Sequence, residues 1–130
     1  MANVSANPVH ISTASSLCSK FGATFASKDL RTDANGNPLT AAQKEALIAQ
    51  KLTQINSGGL IISLDDGQHY VVVTGYTSGS TALADRLTIC DAGANIVGKG
   101  DNVKFSQSHS ASRNISASGS KGITYMYWIT

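Results

Sequence analysis

The chain has 130 residues, of which 42% are hydrophobic and 14% are charged, and its formal net charge is +2. This length predicts a single domain over residues 1–130, which buries about two-thirds of the surface of the unfolded chain. The low charge excludes obvious disorder and a basic nucleic-acid platform, and two cysteines are too few for a disulfide scaffold.

Membrane and export signals are missing from the sequence pattern. No stretch approaches the roughly 20 apolar residues of a membrane helix, and no basic segment followed by an apolar run stands at the N-terminus. We therefore expect cytoplasmic synthesis without a signal peptide and without membrane insertion, which is compatible with a place in a virion. Cys18 and Cys90 are expected to be thiols, although the sequence leaves a disulfide between them open.

The first 40 residues give mixed local signals. Residues 1–12 have an extended pattern, and a short helix is predicted between residues 12 and 25, with Gly22 as a candidate stop. Its apolar positions at helical spacing are Ala14, Leu17, Cys18, Phe21 and Phe25. Two turn signals, Asn35-Gly36 and Asn37-Pro38, then predict a loop.

The clearest predicted element is a helix that begins after Thr40. Thr40 and Gln43 have the spacing of a capping box, and residues 41–56 are mostly good helix formers. Gly58-Gly59 is a stop signal. The apolar stripe of this helix consists of Ala41, Leu47, Ile48, Leu52 and Ile55.

The rest of the chain predicts strands. Residues 60–64, 69–76 and 86–91 are β-branched or alternating runs, which we expect to be adjacent and antiparallel. A short strand near 103–105, a flexible serine-rich loop over 106–120 and an aromatic strand over 123–129 follow. The predicted fold class is α+β, with one or two helices on one face of a twisted antiparallel sheet.

Two polar residues stand at strand ends within this predicted sheet. His69 begins one strand and Asp91 ends the next, so antiparallel pairing can bring the two side chains together. A carboxylate beside a histidine fixes its tautomer and stabilises the imidazolium, which is half of a nucleophilic site. The alternatives are a histidine bonded to a loop carbonyl and an aspartate that caps a turn through Gly93.

Two segments carry a family resemblance. Residues 67–76, GQHYVVVTGY, and 87–93, LTICDAG, resemble the C-terminal half of the C39-like cysteine peptidases, which have a papain fold. The resemblance covers about residues 40–93 and implies a trimmed papain-like core. It also implies a catalytic set in which Cys18 attacks a carbonyl as a thiolate, His69 transfers the proton and Asp91 orients His69.

The N-terminal half departs from that family. Ser19 follows Cys18 where the family usually has glycine, and no glutamine precedes it for an oxyanion hole. If Gly22 corresponds to the end of the family's first helix, the nucleophile position falls near residues 9–12, which contain no cysteine.

Two function classes follow from the resemblance and its departures. The degraded nucleophile half favours a catalytically degenerate C39-like domain that acts as a binding or structural module, for example in a phage virion or a secretion machine. The alternative is an active cysteine peptidase or acyl-transfer enzyme. Metal-ligand spacing and glycine-rich phosphate loops are missing, so we expect no cofactor, no metal and no nucleic acid. The remaining partner class is a peptide or protein, and the sequence leaves the oligomeric state open.

Overall fold

A computed structural model of the protein describes residues 24–55, 59–91 and 102–129. These residues form the strands β1 (Phe25–Asp29), β2 (Leu60–Leu64), β3 (His69–Tyr76), β4 (Leu87–Cys90), β5 (Val103–Lys104) and β6 (Ile123–Ile129), the helices α1 (Ala41–Gln54) and α2 (Leu83–Arg86), and a 3-10 turn (Phe105–Gln107). Within this described part, no helix is long and apolar enough to cross a membrane.

The described strands form one antiparallel open sheet in the order β1-β6-β2-β3-β4-β5. Together with the two helices, this sheet gives an α+β fold, which confirms the predicted class. The predicted strands near residues 60–64, 69–76 and 86–91 are present as β2, β3 and β4, and they are adjacent and antiparallel as expected.

Helix α1 begins and ends where its local signals predict. The Thr40 hydroxyl accepts a hydrogen bond from the Gln43 N–H at 3.2 Å, and the Gln43 side chain accepts one from the Thr40 N–H at 2.9 Å. This capping box satisfies two N–H groups that a helix start otherwise leaves without partners. Ile48 is buried in the core, and the other large apolar residues of the stripe pack against that core from half-buried positions.

The core lies on one face of the sheet. Leu60 is opposite Val73 and Ile62 is opposite Val71, so these four buried side chains share a face, and Ile48 of α1 belongs to the same core cluster. The opposite face carries half-buried aromatic side chains, with rings of neighbouring residues in contact. We call it the aromatic face, and its rings belong to Phe25, Tyr70, Tyr125 and Tyr127.

One charged side chain lies inside this core. Lys44 of α1 is 0% exposed, and its Nζ donates to the carbonyls of Ala117, Gly119 and Lys121 at 3.2, 2.8 and 2.8 Å. Burial lowers the pKa of the ammonium from its ordinary value of 10.5. The three carbonyls replace water around the ammonium and tie α1 to the end of the serine-rich segment.

That segment, residues 106–120, was expected to be flexible and is instead packed. We call it the serine loop. Ile115 is buried in the core, and the Gly119 N–H donates to the Leu39 carbonyl at 3.0 Å. The prediction of a loop is correct, but its apolar and backbone groups are anchored to the core, which the polar composition concealed.

A second correction concerns Phe25, the last apolar position of the helix predicted between residues 12 and 25. Phe25 is the first residue of β1, where it pairs with Ile129 and its ring stacks on Tyr127 at 5.6 Å between centroids. Pairing with β6 satisfies the β1 backbone, and this non-local contact overrides the helical spacing. Ala14, Leu17, Cys18 and Phe21, like the extended pattern predicted over 1–12, lie outside the described residues.

The loop between β3 and β4 contains α2, which the sequence pattern did not predict. Arg86 ends α2 and forms an ion pair and hydrogen bonds with Glu45 of α1, and Tyr76 also donates to the Glu45 carboxylate. The Arg86 guanidinium lowers the pKa of Glu45 below its ordinary value of 4.5. The cluster joins α1 to the far end of β3.

Candidate acid–base site

The sheet brings His69 and Asp91 together as predicted. His69 begins β3, Asp91 follows β4 directly, and the register that pairs Val73 with Ile89 places both polar residues on the core face. The two side chains are diagonal neighbours on adjacent strands, a separation that their length can bridge. His69 Nε2 lies 3.0 Å from Asp91 Oδ1, which confirms the predicted contact.

Burial differs between the two partners. Asp91 is 4% exposed, whereas the His69 side chain keeps 27% of its surface exposed. A buried carboxylate requires hydrogen-bond donors, because it has left water. The imidazole supplies one donor, and its exposed remainder is open to a ligand from outside.

A third residue completes this arrangement. The Ser110 hydroxyl donates to Asp91 Oδ2 at 2.6 Å, and Ser110 is 3% exposed. Sequence reasoning missed Ser110 because it is one of several serines in the serine loop, and no local pattern separates it from the others. Its contact depends on a fold that brings residues 19 positions apart together.

The hydrogen bonds define the tautomer of His69. A carboxylate oxygen only accepts, so the hydrogen bond between His69 and Asp91 places the ring proton on Nε2 when the imidazole is neutral. Nδ1 then carries a lone pair. Among residues 24–55, 59–91 and 102–129 no side chain or backbone group is hydrogen-bonded to Nδ1, which in this tautomer can accept a proton.

The turn that leads into β3 fixes where His69 starts. Asp65, Asp66 and Gly67 have φ values of 51°, 58° and 89°, which are left-handed positions that non-glycine residues rarely occupy. The Asp65 carboxylate accepts from the Gly122 N–H at 3.0 Å and from Arg113 at 3.1 Å. These contacts compensate for the unfavourable backbone and hold the turn against the start of β6.

The two cysteines have different relations to this site. Cys18 lies outside the described residues, so its part in a catalytic set stays a prediction. Cys90 is a half-buried free cysteine that pairs with Val72, and it therefore lies on the face opposite His69. Cys90 is excluded as the partner of the imidazole by the alternation of side chains along β4.

The assembled site is an acid–base pair, His69 and Asp91, in which the Ser110 hydroxyl donates to the second oxygen of the Asp91 carboxylate. Within residues 24–55, 59–91 and 102–129, no group of three histidine, cysteine or acidic residues could hold a metal ion. Comparison with family models, with curated proteins and with solved structures finds no match to the chain. The resemblance to C39-like peptidases therefore stays a prediction based on residues 67–76 and 87–93.

Proposed function

We propose that the chain is a C39-like domain that keeps the acid–base half of a thiol hydrolase but acts as a binding or structural module. The observation that carries this proposal is the position of β1. The family places its nucleophilic cysteine at the start of a helix that precedes the sheet. In this chain β1 starts at Phe25, only seven positions after Cys18.

The register of the sheet separates Phe25 from His69. Phe25 pairs with Ile129 at one end of β6, whereas His69 pairs with Leu64, which pairs with Ile123 at the other end. Three strand spacings and about five residues of strand length put their Cα atoms about 20 Å apart.

The side chains of a cysteine–histidine pair bridge about 8 Å between their Cα atoms, so the seven residues must span about 12 Å. A helix of this length spans about 10 Å, whereas a fully extended chain spans about 24 Å. A Cys18 joined to Phe25 by helix alone therefore falls slightly short of His69. A helix that starts near residues 9–12 is long enough, but no cysteine occurs there. This mismatch supports the loss of thiol chemistry.

The aromatic face supports a binding role. Tyr70, Tyr125 and Tyr127 are half-buried on a strand-borne surface, and the Arg31 guanidinium lies 4.8 Å from the centre of the Tyr125 ring. Tyrosine and arginine are enriched in protein interfaces. A peptide or protein is the partner class that fits these residue types.

Thiol alkylation tests the proposal directly. The folded protein is treated with iodoacetamide at about pH 6.5, where only a low-pKa thiol reacts quickly. Peptide mapping then compares Cys18 with Cys90, which serves as an internal reference. We expect Cys18 to react slowly and at the same rate in wild type and in His69→Ala. A Cys18 rate more than about tenfold above that of Cys90, lost in His69→Ala, contradicts the proposal.

A second candidate function is favoured by the intact contact between His69 and Asp91. In an active cysteine peptidase or acyl-transfer enzyme, Nδ1 takes the proton of the Cys18 thiol, the thiolate attacks the substrate carbonyl, and the imidazolium returns the proton to the leaving group. Asp91 stabilises the imidazolium. This function requires residues 18–25 to be at least partly extended, and the fast alkylation described above is its expected signature.

A further inference from the structure

The side chain of Ser110, in the serine loop, is hydrogen-bonded to the acid–base pair. Its hydroxyl reaches Asp91 Oδ2, while Asp91 Oδ1 faces His69 Nε2. The two oxygens of one carboxylate thus have different partners. Both partners lie on separate segments, one on β3 and one on the loop after β5.

The loop holds the Ser110 hydroxyl in place. The Ser110 N–H donates to the Ser108 hydroxyl at 3.1 Å, and that hydroxyl donates to the Phe105 carbonyl at 2.7 Å. The Arg113 N–H donates to the Ser110 carbonyl at 2.9 Å. Because Phe105 is fully buried, this chain of hydrogen bonds is anchored in the core.

The hydrogen bond from Ser110 matters because a carboxylate without it does not keep one oxygen directed at the histidine ring. The terminal torsion of an aspartate is broad, so a free carboxylate rotates easily about its last bond. A short hydrogen bond to Oδ2 restricts that rotation and leaves Oδ1 aimed at Nε2. A carboxylate that faces one ring nitrogen accepts a hydrogen bond there and keeps the proton on that nitrogen, so the other nitrogen of the neutral ring carries the lone pair.

We infer that Ser110 is a positioning residue that acts through Asp91 to hold His69 in the Nε2–H tautomer, with Nδ1 presented to an incoming hydroxyl or thiol. The inference rests on the acid–base character proposed for this site. It holds whether the incoming group is Cys18 or belongs to a bound partner. Ser110 does not touch that group itself.

Nitrogen NMR of the ¹⁵N-histidine-labelled protein tests this role. His10→Gln and His109→Gln leave His69 as the single histidine, and its ¹⁵N shifts are recorded over a pH series, with the tautomer ratio taken from the plateau at high pH. We expect mainly Nε2–H in the parent protein. In Ser110→Ala the Nδ1–H fraction should rise by about threefold or more, because the orienting hydrogen bond is weakened. Ser110→Thr should restore the parent tautomer.

Two further variants keep the test decisive. Ser116→Ala changes an exposed serine of the same loop and should leave the tautomer unchanged. Ser110→Cys keeps the volume with a weaker donor, so it replaces Ser110→Ala if that variant fails to fold, and we expect an intermediate tautomer ratio. The inference is overturned if Ser110→Ala has the same ratio of Nε2–H to Nδ1–H tautomers as the parent protein. If Ser110→Ala does not fold, the same criterion applies to Ser110→Cys. This outcome is independent of Cys18 alkylation, so the two proposals can fail separately.

Discussion

Removing the buried ammonium of Lys44 should destabilise the protein more than any single surface change. In Lys44→Met the apolar stem is retained, but three carbonyls lose their donor. An acceptor left without a partner costs about 1–3 kcal/mol when it is buried, and less where water reaches it, as at the exposed Lys121. The methionine also removes the cost of burying a charge, which offsets part of that loss. We expect a net decrease of about 2–4 kcal/mol in the free energy of unfolding.

Urea denaturation measures this change against a matched control. Lys51 is on the same helix, and its ammonium lies 4.0 Å from the centre of the Trp128 ring instead of inside the core. Lys51→Met should therefore cost less than about 1 kcal/mol. With an unchanged m-value, Lys44→Met should lower the urea midpoint by about 1–2 M.

The refuting result is clear. If Lys44→Met is within about 0.5 kcal/mol of wild type, or no less stable than Lys51→Met, the three carbonyls do not depend on the ammonium. Amide hydrogen exchange gives a local check, because the Gly119 N–H should lose protection when the loop is released from α1.

Two other predictions concern the ion pair of α1 and the packing of β2. Arg86 lowers the pKa of Glu45 in the folded state. The ionised Glu45 therefore stabilises the fold above about pH 4.5, and this stabilisation is lost as the pH falls through the folded pKa. Glu45→Gln should thus reduce the free energy of unfolding at pH 7 by about 1–2 kcal/mol. In thermal unfolding, the difference in melting temperature between this variant and wild type should shrink below pH 4.5. A difference that does not change with pH contradicts this prediction. A Cβ at Gly59 would meet the Val72 side chain at 2.5 Å, whereas one at Gly75 has only ordinary contacts. In urea denaturation, Gly59→Ala should lower the free energy of unfolding by about 1–3 kcal/mol, and Gly75→Ala by less than about 0.5 kcal/mol. Equal decreases in the two variants argue against the packing explanation.

The elements that the sequence predicted correctly are those with local causes. The capping box at Thr40 and Gln43 is complete within four residues, and the β-branched centre of β3 is contiguous. The contact between His69 and Asp91 could be predicted because it needs only the pairing of two neighbouring strands. Local signals and the simplest sheet topology were sufficient there.

The features that the sequence did not predict depend on distant partners. β1 has little β-branched character, and it is a strand because Phe25 meets Ile129, a residue 104 positions away. Lys44 has the pattern of a solvated helix residue, and its carbonyl partners lie 73 to 77 positions away. Ser110 looks like its neighbouring serines until Asp91 is placed beside it.

The position of β6 has a consequence for the timing of folding. It is the last described strand to be synthesised, yet it lies between β1 and β2 in the sheet. Until it leaves the ribosome, β1 has no neighbour and β2 exposes an open apolar edge, which is a template for pairing with other chains. The nascent chain therefore carries β1 without its strand partner, and β2 paired on the β3 side alone, until β6 has been made. Docking of β6 between β1 and β2 is therefore a late, non-local step of folding, which slows the formation of the complete sheet.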